Sequence, residues 1–159
     1  MIREARKEDA GALLALIKEL AVFEKEPDAV LIDEQTLVRE GFGERPLFKC
    51  FVAEVDQQVV GMALVYFRFS TWNGRGLYLE DLIVTESMRG KGLGKALLDR
   101  VIQFGKQEDV GRIDWVVLDW NRSAIKLYES IGANLLKDWY IAQMDRKAIA
   151  NYIENHANI

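Results

Sequence analysis

The sequence predicts an α/β fold, one mixed β-sheet with helices on both faces. Three observations carry this. Apolar runs of strand length alternate with segments whose apolar residues recur every three to four positions. Residues 77–98 read as a strand, a glycine-rich turn and a helix start in direct succession. A further apolar run at 113–118 follows that strand after a crossover of about thirty residues, enough for a helix, which predicts that the two strands are parallel.

Taken in order, residues 2–5 are a short strand. Residues 8–23 carry Leu13, Leu16, Ile17 and Leu20 on one face and read as an amphipathic helix. The segment 24–28 breaks it, because Pro27 cannot continue the hydrogen-bond ladder. Residues 33–40 are a second helix capped by Asp33, and 41–46 a loop. Residues 49–55 and 59–69 are two strands of a hairpin around Asp56, Gln57 and Gln58. A loop at 70–76 leads into the central strand. After the turn, Leu93, Leu97, Leu98, Val101 and Phe104 fall at helical spacing over 92–108, and Gly111 ends that segment. The strand at 113–118 is followed by a helix at 122–131 stopped by Gly132, a strand at 140–144 and a closing helix at 146–155.

Residues 1–159 are read as one domain, which their number allows. Half the residues are hydrophobic and 29% are charged, the balance of a soluble globular protein. A net charge of −4 argues against nucleic acid or an anionic membrane as the main partner. No apolar run is long enough to span a bilayer, and Met1 to Glu4 do not open a secretory leader. The one cysteine, Cys50, lies inside an apolar run and has no internal partner, so a reducing, cytoplasmic setting is expected. The one histidine, His156, stands in the tail, so Cys50 is read as a packed thiol rather than a nucleophile.

The turn has the chemistry of an anion site. Glycine lets backbone approach a ligand and take positive φ. The first N–H groups of a helix point outward without partners, and the helix dipole adds positive charge there. Arg89, Lys91 and Lys95 stand beside them. A P-loop is excluded, because three residues separate Gly90 from Gly94 and Ala96 stands where a hydroxyl for magnesium belongs. The dinucleotide fingerprint meets Lys95 at its third glycine. A helix N-terminus with a plain glycine turn stays as the alternative.

The run Arg89-Gly90-Lys91-Gly92-Leu93-Gly94 after a strand resembles the coenzyme A pyrophosphate loop of the GNAT acetyltransferases. That resemblance implies a GNAT-type domain with a mostly antiparallel central sheet, whose parallel pair splays to admit the cofactor. It also implies acetyl-CoA as co-substrate, no metal, and a homodimer.

Further runs narrow the resemblance. Lys18-Glu19-Leu20-Ala21, Phe23-Glu24, Gly41-Phe42-Gly43-Glu44 with Pro46, Ser70-Thr71-Trp72 and Tyr78-Leu79-Glu80-Asp81 look like the diamine acetyltransferases, the branch that includes thialysine acetyltransferases. The likeness spans about residues 2–145. It implies that Phe23, Glu24, Trp72, Glu80 and Asp81 line a small-amine site. Leu82, Ile83 and Val84 would offer backbone to the acetyl and pantetheine groups. Arg89, Gly90, Lys91, Gly92, Leu93, Gly94 and Lys95 would hold the pyrophosphate, and Asn121, Ser123 and Ala124 the cofactor's other side. Two departures stand out. Ser70 replaces an acid of the polyamine enzymes, which points toward thialysine-type substrates, and Lys137-Asp138 stand where the family has a glutamate.

Two pairings bear on mechanism. Tyr128 follows Asn121 by about two helical turns, so both lie on one face. By resemblance Tyr128 is the general acid for the departing thiolate; a core tyrosine is the alternative. Glu80 and Asp81 interrupt an apolar strand, where neighbours face opposite sides unless a bulge intervenes. An alkyl ammonium, with a pKa near 10.4, must lose a proton before it attacks a thioester. Glu80 is therefore the candidate base and Asp81 the candidate charge partner, against the alternative that they pair with Arg75 or Arg89. The function expected is N-acetyl transfer from acetyl-CoA to a polyamine, thialysine or related amino acid. Acetylation of a protein lysine or N-terminus, and a coenzyme A sensor without turnover, are the alternatives.

Overall fold

The computed structural model describes residues 1–156. The chain divides into two units, the first comprising Met1–Arg122 and the second beginning at Ser123.

The first unit is built on a five-stranded sheet in the order β1-β2-β3-β4-β5: Ile2–Glu4, Lys49–Val55, Gln58–Ser70, Gly74–Val84 and Ile113–Asp114. The first three pairings are antiparallel and β4 runs parallel to β5. The β2–β3 turn closes on Asp56 and Gln57, both at positive φ (49° and 63°), the backbone a tight hairpin requires.

Alternation along the strands sorts side chains to two faces. Cys50, Val52, Met62, Leu64 and Ile83 form one core with Ala10, Leu13, Leu16 and Leu37. These come from α1 (Ala10–Phe23) and α2 (Glu34–Phe42). The intervening residues Phe51, Ala53, Ala63 and Val65 are fully buried on the opposite face, where Phe104 of α3 (Leu93–Gln107) meets the Phe51 ring at 5.5 Å. Helices on both faces of a mixed, mostly antiparallel sheet are thus observed. Asp33 caps α2 as expected, its Oδ1 accepting from the Thr36 N–H at 2.8 Å. That helix runs on to Phe42, past the expected end, because one glycine in a helix is only a modest cost.

Three expectations are corrected. The strand at 113–118 shortens to Ile113–Asp114, since β4 pairs with it only through Leu77 and Tyr78. Apolar residues fit a strand but do not supply the partner backbone. The loop at 70–76 is a tight turn between strands that continue to Ser70 and resume at Gly74. Ser70 Oγ accepts from the N–H groups of Trp72 and Asn73, each at 3.2 Å, and closes it.

The second unit holds α4 (Arg122–Ser130) from its second residue on, and α5 (Arg146–His156). The Ala133 N–H returns to the Tyr128 carbonyl at 3.0 Å with Gly132 at φ 90°, a glycine-terminated helix end. The third correction is here: 140–144 is not a strand, and Tyr140 is 97% exposed with no ladder to join.

Candidate active site

The site begins with a fault in strand register. β3 and β4 pair Leu64 with Asp81 but Val65 with Leu79, so Glu80 is one residue more than β3 can match. Without the bulge, Glu80 and Asp81 would point to opposite faces; with it, both take the α1 face. Asp81 lies opposite Leu64 of the α1 core, and Glu80 Oε2 accepts from the Tyr66 hydroxyl at 3.0 Å. Tyr66 is itself packed against that core.

Glu24 caps the C-terminus of α1 and completes the cluster. Burial, then the charges of Glu80 and Glu24, push Asp81 up to about 6. Loss of solvent also raises Glu24. A half-buried carboxylate raised by two neighbouring carboxylates, with no ion pair to any of the three among the described residues, marks a cation-seeking patch. The anticipated ion pairs are absent among the described residues: Arg75 pairs with Glu108 at 3.1 Å and Arg89 lies 3.8 Å from Glu19. Tyr66 takes the place of a counterion. Burial and the bond to Glu80 push its phenol up to about 12, so it remains a donor.

Beyond the C-terminal end of β4 lies the glycine turn. Gly90 and Gly92 have φ of 75° and 79°, conformations that other residues resist. Gly92 caps α3, whose first N–H groups lack intrahelical acceptors. No protein atom comes within 4 Å of where a Cβ would stand on Gly90 or Gly92. Open space, outward amides and a dipole end suit a diphosphate. The cations are arranged less simply than expected. Lys95 is engaged by Asp99 at 2.7 Å, Lys91 Nζ lies 3.3 Å from Met88 Sδ, and Arg89 Nε donates to the Val84 carbonyl at 2.9 Å. The amides therefore carry more of the anion site than the lysines do.

Aromatic contacts join the two regions. The Arg89 guanidinium lies 5.0 Å from the Phe23 ring, and that ring is 5.5 Å from Trp120, which precedes Asn121. β5 does not accompany β4 beyond Tyr78, so one edge of Leu82, Ile83 and Val84 is not covered by it.

Within the first unit the structure thus places Glu80 and Asp81 midway along β4 with Glu24 and Phe23 beside them, and Arg89 to Lys95 beyond the strand's C-terminal end. Trp72 is not gathered. It is 81% exposed at the β3–β4 hairpin tip, about 25 Å along the strand from Glu80 at 3.3 Å per residue. Ser123 and Ala124 lie in the first turn of α4, and Tyr128 is the buried residue of that helix, its phenol raised by burial. Sequence reasoning missed Tyr66 and Trp120 as site residues. Tyr66 was visible only as one aromatic among several in β3; its bond to Glu80, fourteen residues on, not its spacing, gives it a role. Among the described residues no group of three or more His, Cys, Asp or Glu side chains is placed to hold a metal ion.

Residues 13–133 match the model of the acetyltransferase (GNAT) family. The chain belongs to this family. Its acyl donor is acetyl-CoA, which the glycine turn fits. The chain is 40% identical to the thialysine N-epsilon-acetyltransferase of Bos taurus over 94% of each chain, and 41% identical to that of Mus musculus over 86% of this chain and 85% of the other. It is 37% identical to the spermidine/spermine N(1)-acetyltransferase-like protein 1 of Homo sapiens, over 93% of this chain but 23% of that longer one. Among solved structures, an integron cassette protein of V. cholerae superposes with a TM-score of 0.78 at 25% identity, covering 98% of both chains.

Proposed function

We propose that this acetyltransferase moves the acetyl group of acetyl-CoA to the primary amine of a small cationic substrate, a polyamine, thialysine or related amino acid, by direct transfer in a ternary complex. The observation that carries the reading is the bulge that turns Glu80 and Asp81 to one face beside Glu24, with no ion pair to them among the described residues. The names of its relatives, which acetylate thialysine or are like spermidine/spermine acetyltransferases, point the same way.

The roles follow from charge and geometry. Asp81 and Glu24 attract and orient the ammonium group, with Phe23 beside them; the exposed Trp72 at the hairpin tip is left out of this pocket. Glu80, held by Tyr66, takes the proton the ammonium must lose. Acetyl-CoA supplies the thioester when bound. Leu82, Ile83 and Val84 present backbone to its acyl arm. Arg89, Gly90, Lys91, Gly92, Leu93, Gly94 and Lys95 hold the diphosphate, and Asn121, Ser123 and Ala124 the opposite side. Tyr128 donates to the departing thiolate. Reference values make full transfer from phenol to thiolate about 2 kcal/mol uphill, and burial of Tyr128 adds to that. Its contribution is therefore chiefly a hydrogen bond. Ser70 spends its hydroxyl on the hairpin turn and adds no charge, which favours thialysine over spermidine. The reading extends to a single acetyltransferase domain, no metal in the step, a cytoplasmic location and a homodimer. The free, buried Cys50 and the family resemblance support these.

The test is thiol release from acetyl-CoA across thialysine, lysine, putrescine, spermidine, spermine and a lysine peptide. Turnover is expected with a small amine, thialysine ahead of spermidine. Glu80→Gln should lower kcat by about a hundredfold, within the range for proton-transfer groups, and Tyr128→Phe by about tenfold, the loss of one hydrogen bond to a charged group, each with coenzyme A affinity retained. Silence across the small amines while coenzyme A still binds would overturn the substrate assignment.

A further inference from the structure

One carboxylate near the glycine turn has no part in the scheme above. Glu19 lies one helical turn before Phe23 on α1. Both its oxygens are used by the connection between β4 and α3. Oε2 accepts from the Thr85 hydroxyl at 2.8 Å and Oε1 from the Glu86 N–H at 2.8 Å, with Arg89 Nη2 at 3.8 Å from Oε1.

On electrostatic grounds this is the wrong group for the place. If the glycine turn takes a diphosphate, a nearby carboxylate repels it. With a third of its side chain exposed, Glu19 is screened by solvent but not neutralised. A group whose charge works against the ligand is explained when its geometry works for it. The carboxylate offers two acceptors in a fixed fork, and the connection uses both. Thr85 and Glu86 begin a single 3-10 turn, Glu86–Met88, which Arg89 closes by donating its N–H to the Glu86 carbonyl at 3.2 Å. The Arg89 side chain then returns to the Val84 carbonyl. The path from the last residue of β4 to Gly90 is therefore pinned at its start by Glu19 and at its end by Arg89, and Glu19 stands beside both.

We propose that Glu19 is a positioning residue for the acyl donor: through Thr85, Glu86 and Arg89 it holds the backbone that leads into Gly90 and Gly92 in the form that receives the diphosphate. This rests on the reading of the glycine turn as the coenzyme A site.

The sign of the effect separates this from a bystander charge. Removing a carboxylate that only repels would tighten binding; removing one that positions the turn would weaken it. Calorimetry with coenzyme A, without amine, should show Glu19→Ala weakening binding about tenfold. Glu19→Gln keeps one acceptor oxygen and Thr85→Val loses one of the two bonds, so each should weaken it about threefold. Because all act through one anchor, Glu19→Ala with Thr85→Val should be no weaker than Glu19→Ala alone. In steady state the KM for acetyl-CoA should rise in parallel, with kcat within about twofold and the KM for amine unchanged. Unaltered or tighter coenzyme A binding in Glu19→Ala, or effects of the two substitutions that multiply, would overturn the proposal. If Glu19→Ala does not fold, Glu19→Gln and Thr85→Val make the same test. Wild-type protein that binds no coenzyme A would instead sink the reading of the glycine turn itself.

Discussion

The middle of β4 and its C-terminal end are opposite constructions. At the C-terminal end an anion site is made of backbone: glycines at positive φ and amides at a helix start, with the nearby cations largely engaged elsewhere. Midway along the strand a cation site is made of side chains: Glu80, Asp81 and Glu24, brought together by one unmatched residue in the ladder. The first depends on which dihedrals the chain can adopt. The second depends on which face each side chain takes. Substitutions should therefore damage them in different ways.

The largest effect on coenzyme A binding is expected at Gly92. Its φ of 79° and the open space around it mean that a side chain there meets strain rather than collision. A β-branched residue in that region costs about 2 kcal/mol. In the free protein the turn escapes the strain by rearranging, and ligand binding must restore it. Gly92→Val should thus weaken coenzyme A by about thirtyfold, the same free energy read as an equilibrium constant. Gly94→Ala sharpens the point. Its Cβ would meet only Val84 Cγ2, at an ordinary 3.9 Å, and no positive φ is involved. That variant should keep its melting temperature. Loss of coenzyme A affinity in it, by calorimetry, would show that the ligand occupies the space over Gly94; unchanged affinity would place the diphosphate nearer Gly90 and Gly92.

The same contrast explains what was legible beforehand. Residues 90–94 announce a backbone site in their letters, because glycine accepts such dihedrals far more readily than other residues, and the strand-turn-helix order around them fixes where the amides point. Glu80 and Asp81 announce acids, but not that they share a face. Register is a property of two strands, and β3 shows nothing in its letters that leaves Glu80 unmatched. Tyr66 and Glu19 were hidden for that reason, since each acquires its role from a partner distant in sequence. The short β5 and the missing strand at 140–144 are the same limitation in the fold. Apolar patterning describes one strand's fitness, and pairing needs two.

An intermediate effect is expected at Tyr66. Its hydroxyl is the donor that the structure gives Glu80, and its ring lies 5.3 Å from Tyr78. Tyr66→Phe keeps the ring and removes the bond. A hydrogen bond to a charged group contributes about 1.5 kcal/mol, so kcat/KM for the amine should fall about tenfold with coenzyme A affinity untouched. A drop in coenzyme A affinity instead would mean that the two regions of β4 are not separable.

The smallest effect is on stability and concerns Asp81 alone. Its carboxyl is pushed up to about 6 in the folded protein, chiefly by burial and then by Glu80 and Glu24. In the unfolded chain it titrates near 3.9. Between those values the native state holds a proton that the unfolded state has released, so stability falls as pH rises from about 4 to about 6. Above that window the whole cost is present. Because Asp81 retains some solvent contact, that cost is about 1 kcal/mol rather than the full value of the shift. Asp81→Asn should then melt about 3 °C higher than wild type at pH 7.5, with the difference vanishing at pH 4. The substitution should at the same time lower kcat/KM for the amine, since it removes the charge that the site gains by tolerating an unfavourable carboxylate. A variant that gains neither stability at neutral pH nor loses amine turnover would show that Asp81 is not the strained member of the cluster, and would move the cation-binding role to Glu24 and Glu80.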